Sequence, residues 1–253
     1  MTGLSVLLRK ELLEQWRTLR LPVIAAVFVL IGLSSPLLAR FTPELIEALG
    51  GAQFQITLPP PTTPDAVDQL IKNVSQFGIL VAVLLAMGSV ATEKERGTAG
   101  LILTKPASRG AFLLAKLVAI GATLLVSTLL AAAAAWVYTL VLFEALPVAG
   151  FAASALLQWL ALMTFAAITF LGSTLTRSAL AAAGIGVAAF ILIGVLSAFP
   201  SLAPYLPVGL GAPARALALG IPPGDVAGPV LANAVLIAAM AGLSWLSFRR
   251  QEL

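Results

Sequence analysis

The sequence predicts an all-α integral membrane protein: six transmembrane helices with an N-terminal amphipathic interfacial helix ahead of them. Three observations predict it. The 253-residue chain is 60% hydrophobic and 10% charged, with a mean hydropathy of +1.03. A soluble domain carries about 25% charged residues, so this chain has too few to cover a globule in water. Six apolar windows approach the roughly 20 residues a helix needs to cross the hydrocarbon core. Lysine and arginine fall almost entirely on one side of those windows.

The windows run from Leu21 to Leu38, Phe77 to Ala91, Leu117 to Leu142, Phe151 to Thr174, Ala179 to Phe199 and Val226 to Leu246. The second is short and borrows Asn73 to Gln76 or Thr92 at its ends. Six spans put both termini on one side. Of the 15 Lys and Arg, only Arg40, Lys72 and Arg215 fall on the other side. Positive residues collect in the cytoplasm, so the sequence places both termini there. The first window is too long for a signal-peptide core and follows a charged segment that includes acids. The chain reads as one membrane domain, 1–253.

Residues 1–20 read MTGLSVLLRKELLEQWRTLR. Leu4, Leu8, Leu12, Trp16 and Leu19 recur at helical spacing, while Arg9, Lys10, Glu11, Glu14 and Arg17 take much of the remaining wheel. This predicts a helix lying at the cytoplasmic interface with Trp16 at headgroup depth. Residues 40–74 form an outer loop. Its Pro59–Pro61 run favours extended structure, and Pro64 with Asp65 opens a short helix through Lys72. Phe41 to Leu49 reads as another short helix. Residues 200–225 form a second outer segment, interrupted by six prolines. Within it Val208 to Leu219 is apolar but too short to span, and reads as re-entrant or outer-interfacial with Arg215 reaching the headgroups. Small residues such as Ala131 to Ala135 predict close helix approach.

Several chemistries are excluded. Without Cys or His, there are no disulfides, no His or Cys metal sites and no His-based nucleophile activation. The six windows contain no Asp, Glu, Lys or Arg, which a proton-coupled carrier normally needs. There is no HExxH and no GxxxxGK[ST], so the chain has no phosphate cradle of its own. No basic patch is interleaved with aromatics, which argues against nucleic acid. The chain reads as a non-enzyme with no cofactor.

Charge instead gathers in one stretch between the second and third windows, ATEKERGTAGLILTKPASRGAFLLAK, residues 91–116. Glu93, Lys94, Glu95 and Arg96 alternate in sign. Gly97 and Thr98 permit a bend. Leu101, Ile102 and Leu103 make a short apolar segment, Pro106 breaks it, and Ser108 is placed to cap the next helix. An apolar segment framed by charge suits a groove on a cytosolic partner. From the residues alone it suits a solvated loop equally well.

The pattern Glu93-x-Glu95-x-Gly97-Thr98, Leu101, Leu103-Thr104-x-Pro106-x-Ser108-Arg109, then Leu113 and Lys116, resembles the permeases of ABC-2 type exporters. The resemblance extends over nearly the whole chain. After Gly-Thr, where that family often has Leu-Glu, this chain has Ala99-Gly100. The resemblance implies a cytoplasmic coupling helix between spans 2 and 3, within residues 92–112, that meets a separate ATPase. It assigns Glu93, Glu95, Arg96, Gly97, Thr98, Leu101, Leu103, Pro106, Ser108 and Arg109 to that coupling. It implies an interfacial helix bearing Arg9, Lys10, Glu11, Trp16 and Arg17. It further implies two copies of an ATPase subunit that binds ATP and Mg, and a second permease, identical or related. An ATP-independent carrier or channel, and a scaffold that anchors an ATPase without transport, are the competing readings. No residue is assigned to a substrate pathway.

Overall fold

The computed structural model describes residues 3–50, 60–98 and 108–251. Among them the chain is helical throughout. The helices are α1 (Leu4–Arg17), α2 (Arg20–Gly50), α3 (Thr63–Met87), α4 (Ala91–Glu95), α5 (Arg109–Leu142), α6 (Val148–Leu175), α7 (Ala179–Leu196), α8 (Gly211–Ala218) and α9 (Ala227–Arg249). Two 3-10 turns, Ala203–Tyr205 and Pro207–Leu210, precede α8. Six segments are long and apolar enough to cross a membrane: α2, α3 continued through α4, α5, α6, α7 and α9.

Each predicted window falls on one of these spans, although the fifth span stops at Leu196, short of the predicted Phe199, and the last begins at Ala227, one residue after the predicted Val226. Two other helices run further than the hydropathy does. α2 continues through Gly50 despite Pro36 and Pro43, so Phe41 to Leu49 extends the first span rather than forming a separate helix. α3 starts at Thr63, and its first turns rise continuously into the span. Among the described residues, those placed in the outer loop are therefore largely helical. Pro64 and Asp65 do open that helix. The Asp65 carboxylate accepts hydrogen bonds from the Thr62 amide at 2.8 Å and the Thr62 hydroxyl at 2.6 Å, which fixes the first turn.

α6 is the central helix, packed against α3, α5, α7, α8 and α9. The core around it includes Phe28, Phe112, Phe165, Phe170 and Phe248, all fully buried. α2 lies along α5 at close range. A Cβ on Gly32 would fall 2.2 Å from the Ala131 carbonyl oxygen, so only glycine lets these backbones meet. The small-residue run of the third span thus serves helix approach as expected. Other buried polar groups pair within the bundle: Asn73 Nδ2 donates to Ser35 Oγ at 2.9 Å, and Thr164 Oγ1 to Asn233 Oδ1 at 3.1 Å. In lipid such groups have no water to turn to, so pairing is required.

α7 and α9 are different. Only 17% and 11% of their spanning windows are buried, against 61% for α6. Each packs chiefly on α6 and leaves most of its surface uncovered, and the two do not pack on each other. At the end opposite the termini, α8 packs on α6, and Arg215 pairs with Asp68 of α3. Arg215 is thus held by a protein carboxylate, a partner the sequence did not suggest.

Candidate functional site

The charged stretch and the amphipathic helix meet at the end of the bundle that carries both termini. The route there starts in the second span. The helix breaks after Met87, leaving the amides of Val90 and Ala91 without helical acceptors on the inner side. Ser173 Oγ, from α6, accepts from both, at 3.1 and 2.9 Å. That bond re-aims the chain so that α4 can begin at Ala91. α4 ends at Glu95, with Arg96 as its C-cap, and the chain turns at Gly97, whose φ of 69° is the left-handed conformation glycine adopts without penalty. The predicted bend is there.

α4 is held on three sides. Lys94 Nζ donates to the Thr174 carbonyl at the end of α6, at 2.7 Å. Thr98 Oγ1 donates back to the Glu93 carbonyl at 3.2 Å. Glu93 Oε1 accepts from Lys116 Nζ at 2.7 Å. Lys116 is 4% exposed, and its ammonium also donates to Glu11 Oε1 of α1 at 3.1 Å. One buried lysine of α5 therefore joins α1 to α4. A lone ammonium buried there would be costly, and the two carboxylates supply the pairing that such burial requires.

Lys10 extends the cluster, 3.0 Å from Glu11, 3.2 Å from Glu14 and 3.6 Å from Glu93. Partial burial acts against its charge, but the Glu11 hydrogen bond and the three carboxylates outweigh it. Its ammonium is held above the ordinary lysine range. Lys116 also lies 5.0 Å over the Phe112 ring, and Phe112 stacks on Phe248 of α9 at 5.6 Å. The last helix is tied in again by Arg109. Its Nη1 donates to the carbonyls of Phe248, Arg249 and Gln251 at 2.9 to 3.0 Å, closing the carboxyl end of α9. Gln251 Nε2 in turn donates to the Thr174 carbonyl at 2.9 Å.

The residues singled out from the sequence thus divide. Glu93, Glu11 and Lys10 belong to one ion-pair network. Ser108 caps α5 as expected, its Oγ accepting from the Ala111 amide at 3.1 Å. Arg109 is engaged inside the chain, by the end of α9. Glu95, Arg96 and Gly97 are exposed at the tip of α4, with Thr98 half-buried behind them. Leu101, Leu103 and Pro106 lie outside the described residues. On α1, the stripe turned to the bundle is Leu7, Glu11 and Gln15 rather than the leucine stripe. Leu12 and Leu19 face outward, Trp16 is 61% exposed, and Arg9 and Arg17 are exposed beside them.

Lys116, Ser173 and Thr174 were not singled out as site residues. Lys116 stood at the edge of an apolar run, where a lone lysine reads as a topology signal. Ser173 and Thr174 sit in an otherwise apolar span, and only the break after Met87 gives them a task.

No group of three or more carboxylates able to hold a metal occurs among the described residues. What the arrangement offers is a corner in which ion pairs and hydrogen bonds join α1, α4, α5, α6 and α9, with the exposed α4 tip beside it. Two comparisons with known proteins agree with this architecture. The chain is 31% identical to an uncharacterized transmembrane protein, YxlG, of Bacillus subtilis (strain 168), over all of this chain and 99% of that protein. The family model for the ABC-2 family transporter protein matches residues 5–253, and the chain belongs to that family of membrane transport proteins.

Proposed function

We propose that the chain is the permease subunit of an ATP-driven exporter in the cell membrane, with both termini in the cytoplasm. Two copies, or one copy with a related permease, form the pathway at their interface. Two separate ATPase subunits, which bind ATP and Mg, dock from the cytoplasm against the α4 tip and residues 99–107. The chain itself carries no catalytic group.

The observation that carries this reading is the Glu11–Lys116–Glu93 bridge. A push on α4 reaches α5 through Glu93–Lys116 and α1 through Lys116–Glu11, without an intervening flexible segment. α1, with Trp16 and Leu12 outward, would lie on the bilayer surface and move with it. The uncovered faces of α7 and α9 support a second permease copy, because spans with so little burial leave room for a helix partner. The half-buried Asp68–Arg215 tether would steady the outer end of the pathway.

The test is affinity capture of the chain from its native membrane, with mass spectrometry and an ATPase assay. Recovery of a soluble ATPase with a phosphate-cradle motif, lost when Glu95 and Leu101 are replaced, supports the reading. Recovery of the chain alone, transporting in vesicles without nucleotide, would replace it with a carrier or channel. An ATPase that binds but never responds to any substrate would leave a scaffold.

A further inference from the structure

The charges of α1 divide by sign. Both acids are engaged by the ion-pair network: Glu11 Oε1 accepts from Lys10 and Lys116, and Glu14 Oε2 lies 3.2 Å from Lys10. The arginines are not. Arg9 and Arg17, with Arg20 at the start of α2, are exposed, and none has a carboxylate partner among the described residues. A shallow open groove along α1 is lined by Arg9, Lys10 and Arg17 together with Val6 and Leu13, and Glu14 is its one acid.

Apolar side chains share this outer surface. Leu12, Leu13 and Trp16 are exposed on α1, and Val23, Val27 and Leu30 are exposed at helical spacing on α2. The last three belong to the first spanning window, where the surroundings are hydrocarbon. Leu19 joins the two sets at the corner between α1 and α2. Its φ of 60° is left-handed, which costs a leucine about 1–2 kcal/mol. Its side chain is 62% exposed, so packing within the chain does not hold it there. An apolar surface that starts on a span and continues across this corner is covered by the same solvent as the span, and that solvent is lipid.

We propose that the outer face of α1 binds anionic phospholipid of the leaflet that α1 lies on, in preference to zwitterionic lipid. This rests on the placement of α1 at the bilayer surface given above, and on neither transport nor an ATPase. The phosphodiester oxygens accept from the guanidinium forks of Arg9, Arg17 and Arg20. The acyl chains lie against Leu12, Trp16 and Leu19. A zwitterionic headgroup brings its own cation, which needs an acid, and Glu11 and Glu14 already face lysines. An acidic protein surface would suit the arginines but leave the apolar residues between them without a hydrocarbon partner.

The experiment uses the full chain in lipid discs of phosphatidylcholine with a rising share of phosphatidylglycerol. One lipid or the other carries bromine high on its acyl chains, which quenches nearby tryptophan fluorescence. Subtracting the signal of Trp16→Phe isolates Trp16. The expected result is a preference for phosphatidylglycerol of at least about fivefold at low salt, the effect of one basic residue at an anionic surface, shrinking as salt screens it. Arg9→Gln with Arg17→Gln should remove most of that preference. Arg9→Lys with Arg17→Lys should keep most of it, which separates loss of charge from loss of fold. Equal quenching by the two lipids, a preference untouched by salt, or one undiminished in the glutamine variant would overturn the proposal while leaving α1 on the bilayer. No quenching of Trp16 by either lipid would overturn that placement as well, and give the face to a protein partner. No ATPase is present, so either failure leaves the exporter reading untouched.

Discussion

Lys116 and Glu93 are joined by a 2.7 Å ion pair across 23 residues of chain, and the lysine is almost fully buried. Breaking a buried pair from one side costs up to about 3–5 kcal/mol, an upper bound here because Lys10 stays 3.0 Å from Glu11 and 3.6 Å from Glu93. Lys116→Met should therefore lower the stability of the detergent-solubilised chain by up to that amount. Lys116→Met combined with Glu93→Gln and Glu11→Gln should recover much of it, because no charge is then stranded. If the triple variant melts no higher than the single, the three groups do not act as a unit.

Lys10 makes a separate prediction in pH. Its ammonium is raised above the ordinary 10.5 by the carboxylates of Glu11, Glu93 and Glu14 acting against partial burial. A raised value means the folded state holds the proton more tightly than the unfolded one. The contribution is fully present below about pH 10.5 and is lost as the pH climbs above it. The melting-temperature difference between the parent chain and Lys10→Met should be flat from neutral pH to that point and shrink beyond it. A difference that already falls between pH 7 and 9 would contradict the network drawn around Lys10.

Ser173 is expected to matter more than a serine in an apolar span normally does. It is the acceptor for both amides at the break before α4. Ser173→Ala leaves two buried donors without partners, at about 1–3 kcal/mol for each buried group left unsatisfied. Ser173→Thr keeps the oxygen. Thermal stability should drop for alanine and largely return for threonine, and protection of the Val90 and Ala91 amides from hydrogen exchange should follow the same order.

The six spans were legible because their signal is hydropathy summed over whole windows, which tolerates errors of a few residues. The helices just beyond the first span and just before the second were legible as short helices, but their continuity with the spans was not. Glu44, Asp65, Asp68 and Lys72 lower the mean hydropathy although the backbone continues unbroken. Ser108 and Gly97 were readable because a cap and a left-handed turn are set by near neighbours. The bridge was not, since Glu11 and Lys116 are 105 residues apart and nothing local records that they meet. Arg109 looked like a docking charge because its acceptors, three carbonyls at the far end of the chain, leave no trace in residue type.

The Arg215–Asp68 pair at the other end is about half exposed, and such pairs contribute about 0.2–1 kcal/mol. Arg215→Ala should lower stability only slightly, and less in high salt, where exposed charges are screened. Exchanging the two as Arg215→Asp with Asp68→Arg should restore the loss. The readout is melting at low and high ionic strength. A large, salt-independent loss would mean that Arg215 holds α8 by packing rather than by charge.

Two glycines should respond to the same substitution with opposite signs. A Cβ on Gly32 meets the Ala131 carbonyl oxygen at 2.2 Å, so Gly32→Ala must push α2 away from α5. Overpacking of this kind costs about 1–3 kcal/mol. Gly184, on an uncovered face of α7, has nothing within 4 Å of its Cβ position. There alanine should gain up to about 1 kcal/mol from helix propensity alone. Gly32→Ala should melt lower than the parent and Gly184→Ala at or above it, measured on the isolated chain in detergent. The same Gly184→Ala chain can then be examined in the membrane. A loss that appears only there would report a second helix seated against α7, because the isolated protomer offers the new methyl no neighbour.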